Sequence, residues 1–148
     1  EDEYAYQENG TISSKEIKNV QYLQTLGWAQ NVDFTSDPSQ VLWSAFLNDN
    51  RYASEKLGVF EGACTYIKGA YRPSEESMMN SNTEGFSAPS RKAIYDKIME
   101  RSLGKQMSYE EFAVFDSQNK LQTRSAKSTV GPSKPFIRPH FVNRMLDK

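Results

Sequence analysis

A single cysteine and a single histidine in 148 residues are the sharpest limits this sequence sets. Cys64 cannot close an internal disulfide, so cysteine usage neither marks an oxidising compartment nor argues against one. His140 alone cannot build a zinc site, which takes several imidazole, thiolate or carboxylate ligands. Any metal-assisted chemistry must borrow imidazoles from outside these residues. A Ser-His-Asp triad would have to use His140, and no Gly-x-Ser-x-Gly elbow accompanies it. A Gly-rich phosphate loop and a Cys-x-x-Cys pair are also missing. No apolar run approaches the roughly 20 residues that cross a bilayer, and the acidic opening Glu1, Asp2, Glu3 is the opposite of a signal-peptide start. Charge of neither sign dominates. Lys and Arg number 18 against 19 Asp and Glu, a net charge of -1. No basic stripe interleaved with aromatics follows a phosphate backbone, which argues against nucleic acid as partner.

What is present is polar but foldable. The mean hydropathy of -0.73 is low for a self-contained globule, while an aromatic share of 12% argues against plain disorder. The length suits one domain, or one large piece of a domain, with polar arms or with one wall of its core supplied from elsewhere.

Along the chain, Glu1 to Gly10 is acidic and tyrosine-rich and ends in the turn-forming pair Asn9-Gly10. Ile17, Val20 and Leu23 put a narrow apolar stripe on a helix over Ser13 to Leu26. Asp37-Pro38-Ser39-Gln40 reads as a helix start, with Val41, Leu42, Ala45 and Phe46 on one face and Trp43 projecting elsewhere. Gly58, Gly62 and Gly69 disfavour helix from Leu57 to Met79, which predicts irregular loops and one or two short strands. After a polar turn over Asn80 to Gly85, an amphipathic helix runs from Ser87–Ser90 through Ala93, Ile94, Ile98 and Met99 to Leu103, where Gly104 stops it. Ser108-Tyr109-Glu110-Glu111 is a capping box opening a further helix with Phe112 and Phe115. Beyond Asp116 the pattern dissolves, so Ser117 to Lys134 reads as a linker or surface arm, followed by an extended segment over Pro135 to Phe141.

Four places can carry chemistry. The carboxylates of Glu1, Asp2 and Glu3 can ligate a cation or orient a metal-bound imidazole, or simply form a solvated acidic stretch. Glu61 stands among apolar residues and glycines in Val59-Phe60-Glu61-Gly62-Ala63; it is either a buried working carboxylate or faces water on an alternating strand. In Lys68 to Met79, the Tyr71 phenol can donate to a developing oxyanion and a methionine can floor a site, although paired methionines also serve as core filler. His140, between Pro139 and Phe141, reads as a surface or packing residue, and Cys64 as a buried, inert thiol.

The stretches Trp28 to Phe34, Gly58 to Ala63, Lys68 to Pro73, Ser77-Met78-Met79 and Phe86 to Ile94 together resemble the C-terminal portion of the IgA-peptidase family of zinc metallopeptidases, in the family's order and over roughly Glu1 to Asp116. In that family a His-Glu-x-x-His helix precedes an Asp-Glu-Tyr run, which Asp2-Glu3-Tyr4 matches. The resemblance implies metal-assisted peptide hydrolysis, with zinc held by two helix imidazoles lying before Glu1. The third ligand would be Asp2 or Glu3, with Glu61 a competitor. It also implies a methionine turn at Met79 and an oxyanion or substrate contact at Tyr71.

The expectation is therefore an α+β fold: the C-terminal part of a metzincin-like zinc peptidase catalytic domain, with irregular loops, short strands and about three to four helices. Residues 1–116 would form the peptidase portion and 117–148 a linker and extended arm. The cofactor would be zinc in the complete domain, and the partners a protein or peptide substrate and the upstream segment of the same protein, with no nucleic acid and no membrane span. The setting would be secreted, periplasmic or cell-surface. Without His-Glu-x-x-His the chain alone would be inactive. The alternative is a non-catalytic extracellular module that grips glycan or protein through exposed Tyr and Trp.

Overall fold

The computed structural model describes residues 3–4, 10–79 and 85–126. The readings placed on Asp2, Asn9, His140, the 135–141 segment and most of the 80–85 turn lie outside the described residues. Helices and one antiparallel hairpin give an α+β architecture, as expected.

Helix α1 (Ser14–Thr25) starts where the Ser13 hydroxyl accepts the Glu16 amide at 3.3 Å. Ser13 in turn donates to the Glu16 carboxylate at 2.7 Å, a local lock on the first turn. Val20 faces inward, whereas Leu23, expected on the same stripe, is exposed. Strands β1 (Phe60–Ala63) and β2 (Tyr66–Arg72) pair antiparallel, with Ala63 opposite Tyr66 and an irregularity between Glu61 and Ala63. Cys64 and Thr65, both at positive φ (53° and 67°), form the tight turn between them. On its other side β2 is bridged by Thr11 and by Asp33. Gly69 lets the first of these come close: a Cβ there would lie 3.1 Å from the Ile12 side chain. The small-residue core under the hairpin joins Ile12, Val20, Ala29, Val32, Ala63, Cys64 and Ala70.

The helix expected from Asp37 does not propagate. Asp37 does cap, accepting from the Ser39 amide at 2.8 Å and the Gln40 side chain at 2.8 Å. However, the Leu42 amide is drawn to the Asp33 carboxylate (2.9 Å), and only Ser44–Leu47 is α-helical (α2). Val41 and Trp43 therefore alternate inward in place of the helical face Val41, Leu42, Ala45 and Phe46. Trp43 is 1% exposed and donates its indole N–H to Gly58 O at 2.8 Å, while Leu42 is exposed. A 3-10 helix (Asn50–Glu55) follows and buries Tyr52.

Helix α3 (Ala88–Leu103) has a proline in its first turn and ends at Gly104, whose positive φ (62°) and N–H to Glu100 O (2.9 Å) close it as expected. Its buried face is Ala88, Pro89, Ser90 and Tyr95; Ile94 and Ile98, expected on the core side, are exposed. Helix α4 (Tyr109–Ala126) begins at the Ser108 capping box, with the Ser108 amide donating to the Glu111 carboxylate at 2.8 Å. It continues past Asp116, where a linker was expected. The reason is ionic: Asp116 pairs with Arg91 at 2.7 Å, and Lys120, one turn on, pairs with Glu55 and Asp116. Charged side chains thus anchor a stretch with little apolar content. The second core, aromatic in character, packs Val41, Trp43, Phe46, Tyr52, Tyr95 and Phe112. Phe46 meets Tyr52 and Tyr109 edge-on, each at 4.9 Å between centroids, an arrangement that adds about 0.5–1.5 kcal/mol per pair to area burial. Among the described residues no helix is long and apolar enough to cross a membrane.

Candidate functional site

Of the residues singled out from sequence, Glu3 has the least ordinary environment. It is fully buried. A carboxylate removed from water must be hydrogen-bonded, paired or neutralised. Here Oε1 accepts from Asn31 Nδ2 at 2.9 Å, Ser87 Oγ at 3.1 Å and Ser90 Oγ at 2.5 Å. Oε2 accepts from Ser74 Oγ at 3.4 Å. The Ser87 and Ser90 hydroxyls also lie 3.1 Å apart. Burial holds the Arg72 guanidinium below its ordinary range, opposed by the charges of Glu3 and Glu75 nearby. Arg72 itself is fixed by Ser74 O at 3.0 Å and by the carbonyls of Glu61 and Gly62. One residue on from Glu3, the Tyr4 carbonyl accepts the Thr65 amide of the hairpin turn at 3.0 Å.

These partners come from three places far apart in sequence: Asn31, Ser74, and the pair Ser87 and Ser90. Asn31 precedes Val32 of the small-residue core, and Ser87 precedes Ala88 of the aromatic core. Ser87 is the N-cap residue of α3, yet its hydroxyl makes no cap bond to the helix backbone. That end of the helix is served by Glu55, which accepts the Ala88 amide at 3.1 Å. Glu3 therefore occupies a polar junction between the two cores.

Two cavities flank this junction. One, of about 220 Å³, is lined by Trp28, Asn31, Met79, Phe86, Ser90 and Ile94 among others, and is mainly apolar. The other, of about 550 Å³, is polar and includes Glu55, Ser74, Glu75, Ser87 and Arg91. Asn31 and Ser90 reach the first, and Ser74 and Ser87 the second. Met79 follows a tight turn in which its amide lies 3.3 Å from the buried Ser77 hydroxyl. Met79 and two of the Glu3 partners, Asn31 and Ser90, thus line one cavity. At the cavity mouth Trp28 is half exposed, with Lys97 Nζ 5.3 Å and Arg101 5.8 Å from its ring.

The other sequence candidates are placed elsewhere. Glu61 is exposed on β1 and accepts the Gly69 amide at 3.0 Å, the water-facing arrangement of the two considered. Tyr71 pairs through its backbone with Asp33 (2.7 and 3.0 Å), and its half-buried ring packs on the aromatic core, not among the residues lining the Met79 cavity. Cys64 is buried, as expected. Among the described residues no three His, Cys, Asp or Glu side chains converge in a way that could hold a metal ion. Glu3 and Glu61 are not brought together in such a group, and both oxygens of Glu3 are engaged by hydroxyls and an amide. The described residues therefore do not fit a zinc site by themselves. Sequence reasoning missed Asn31, Ser74, Ser87 and Ser90. The one available signal was the pair Ser87 and Ser90 at a helix start, which reads as local capping until Glu3 is placed against it.

No curated protein and no solved structure matches the chain. The family model described as IgA Peptidase M64 matches residues 40–98, a stretch running from the Asp37 turn through the hairpin and Met79 into α3. That stretch, which holds Glu61, Tyr71, Met79, Ser74, Ser87 and Ser90, is the part of the chain that is similar to the IgA peptidase M64 family.

Proposed function

We propose that this chain is the C-terminal part of a metzincin-like, zinc-dependent peptidase domain that cleaves peptide bonds in protein substrates and is inactive without the segment carrying His-Glu-x-x-His. The observation that carries this reading is the family match over residues 40–98. Two structural features support it. Ile94 and Trp28 expose apolar surface at the Met79 cavity, as a wall that receives further chain would. Glu3, the middle residue of the Asp-Glu-Tyr run, sits beside that cavity, because it bonds two of its lining residues.

Within this reading Asp2 is the metal-ligand candidate, Met79 forms the methionine turn and Tyr71 supplies a substrate or oxyanion contact. Glu61 is the weaker competitor for the metal, since its carboxylate already accepts a backbone amide on an exposed strand. Zinc, when bound, would supply Lewis acidity and an activated water. The division at residue 116 and a secreted, periplasmic or cell-surface setting belong to the same proposal. A second reading, a non-catalytic binding module, draws on Trp28 and Tyr22, both exposed.

The test uses the protein extended upstream of Glu1. Purified without chelator, it is expected to hold about one zinc per chain by elemental analysis, to cleave a fluorogenic peptide library and to lose cleavage on chelation. A metal-free protein, or cleavage indifferent to chelator, overturns the peptidase reading; retained binding of glycan or protein without cleavage favours the module.

A further inference from the structure

We infer that Glu3 is a positioning residue and not a metal ligand: its cage of hydroxyls seats the Glu3–Tyr4 segment between the start of α3 and the hairpin turn. A carboxylate offers about four lone-pair positions. Three donors converge on Oε1 and a fourth approaches Oε2, so coordination of a cation would require dismantling bonds that burial makes expensive to lose. The donors are neutral. Hydroxyl and amide dipoles stabilise charge only at contact distance and correct angle, so they specify where the carboxylate sits more sharply than a mobile cation would. The next residue is fixed independently, through the Tyr4 carbonyl and the Thr65 amide. A side-chain anchor and a backbone anchor on consecutive residues set both the position and the direction of the Glu3–Tyr4 segment.

The cage stands on its own geometry. Its consequence for metal binding rests on the peptidase reading, in which Asp2 is the ligand candidate. If Glu3 only positions that neighbour, damage to the cage at a residue remote in sequence should mimic damage to Glu3 itself. Ser90 is the residue to use, since it bonds Glu3 at the shortest distance.

The experiment compares wild type, Glu3→Gln, Ser90→Ala, the double variant and Ser90→Thr in the upstream-extended protein, by thermal unfolding without metal and by cobalt(II) titration. Each single variant is expected to lower the melting temperature by about 3–6 °C, with the double variant losing no more than about the larger single loss. Ser90→Thr, which keeps the hydroxyl, should recover most of the loss. Glu3→Gln and Ser90→Ala should each weaken cobalt binding about 10–100-fold while leaving the visible absorption bands of the loaded protein in place. Shifted bands in Glu3→Gln with unchanged cobalt affinity in Ser90→Ala would make Glu3 a ligand and overturn the inference, as would additive stability losses. If wild type takes up no metal, the peptidase reading fails, and the unfolding cycle still decides whether the cage exists.

Discussion

Among the described residues, the buried acids Glu3 and Asp116 are stabilised by different means. Around Glu3 the donors are serines and an asparagine. Around Glu55 and Asp116 they are cations: Arg91 bridges both acids at 2.7 Å, adds a second bond from Nε to Asp116 at 2.8 Å and donates to Phe86 O, while Lys120 contacts both acids. The ionic junction ties the 3-10 helix, α3 and α4 together, and the hydroxyl junction ties the N-terminal segment to α3 and the loops. Opposite charges attract over distance and tolerate imperfect angles, which suits them to clamping long elements; dipoles act only on contact, which suits them to locating a short segment. Ser87 and Arg91 lie one helical turn apart on α3, so one helix end serves both devices.

The largest effect should come from breaking the ionic junction. Arg91→Leu removes the shared cation and leaves Glu55 and Asp116, with side chains 17% and 8% exposed, facing each other with Lys120 alone. The expected loss is about 2–4 kcal/mol, read from the urea midpoint at neutral pH. A loss smaller than that of Ser90→Ala would show that the cage, not the ion pairs, is the stronger tie.

A smaller effect follows from acid. Burial alone would raise the Asp116 carboxyl, but hydrogen bonding to and attraction by Arg91, then Lys120, outweigh it and hold the group below the usual carboxylate range. Asp49, bonded by Arg51, is held down to about 2. A depressed folded-state pKa means stability that is complete above the unfolded value near about 4 and is lost as pH falls through the folded value. Wild type and Arg91→Leu should therefore converge in urea unfolding as pH drops from about 5 towards about 2, the gap narrowing to under about 1 kcal/mol. A gap that stays constant across that window would mean that Asp116 is not the partner through which Arg91 stabilises the fold.

The contrast between the two junctions also explains which parts of the fold could be read from sequence. The C-terminal end of α3, the cap of α1 and the start of α4 are set by residues three or four apart, and each lies where the local chemistry puts it. The short α2 does not, because Asp33 captures the Leu42 amide from nine residues away. Helix α4 outlasts its apolar pattern because Asp116 and Lys120 answer to Arg91 and Glu55, which no window on α4 contains. The candidate site shows the same division. Glu3 was visible as a carboxylate in a familiar run, but its donors at positions 31, 74, 87 and 90 are ordinary serines and an asparagine until the fold gathers them.

The smallest effect sharpens the comparison from within a single helix. Lys92 is the next residue after Arg91 and also makes an ion pair, to Asp96 at 2.5 Å one turn on. The side chains are 22% and 36% exposed, so water competes for both charges, and lysine preceding aspartate at this spacing is the weaker orientation along a helix. Lys92→Ala should change stability by no more than about 0.5 kcal/mol, and about 1 M salt should abolish most of that difference. Arg91→Leu should keep most of its cost in the same salt, because its partners are shielded by protein. If salt weakened both variants' effects alike, the Arg91 junction would be a surface ion pair in energetic terms, and the distinction between clamping by charge and locating by dipole would collapse.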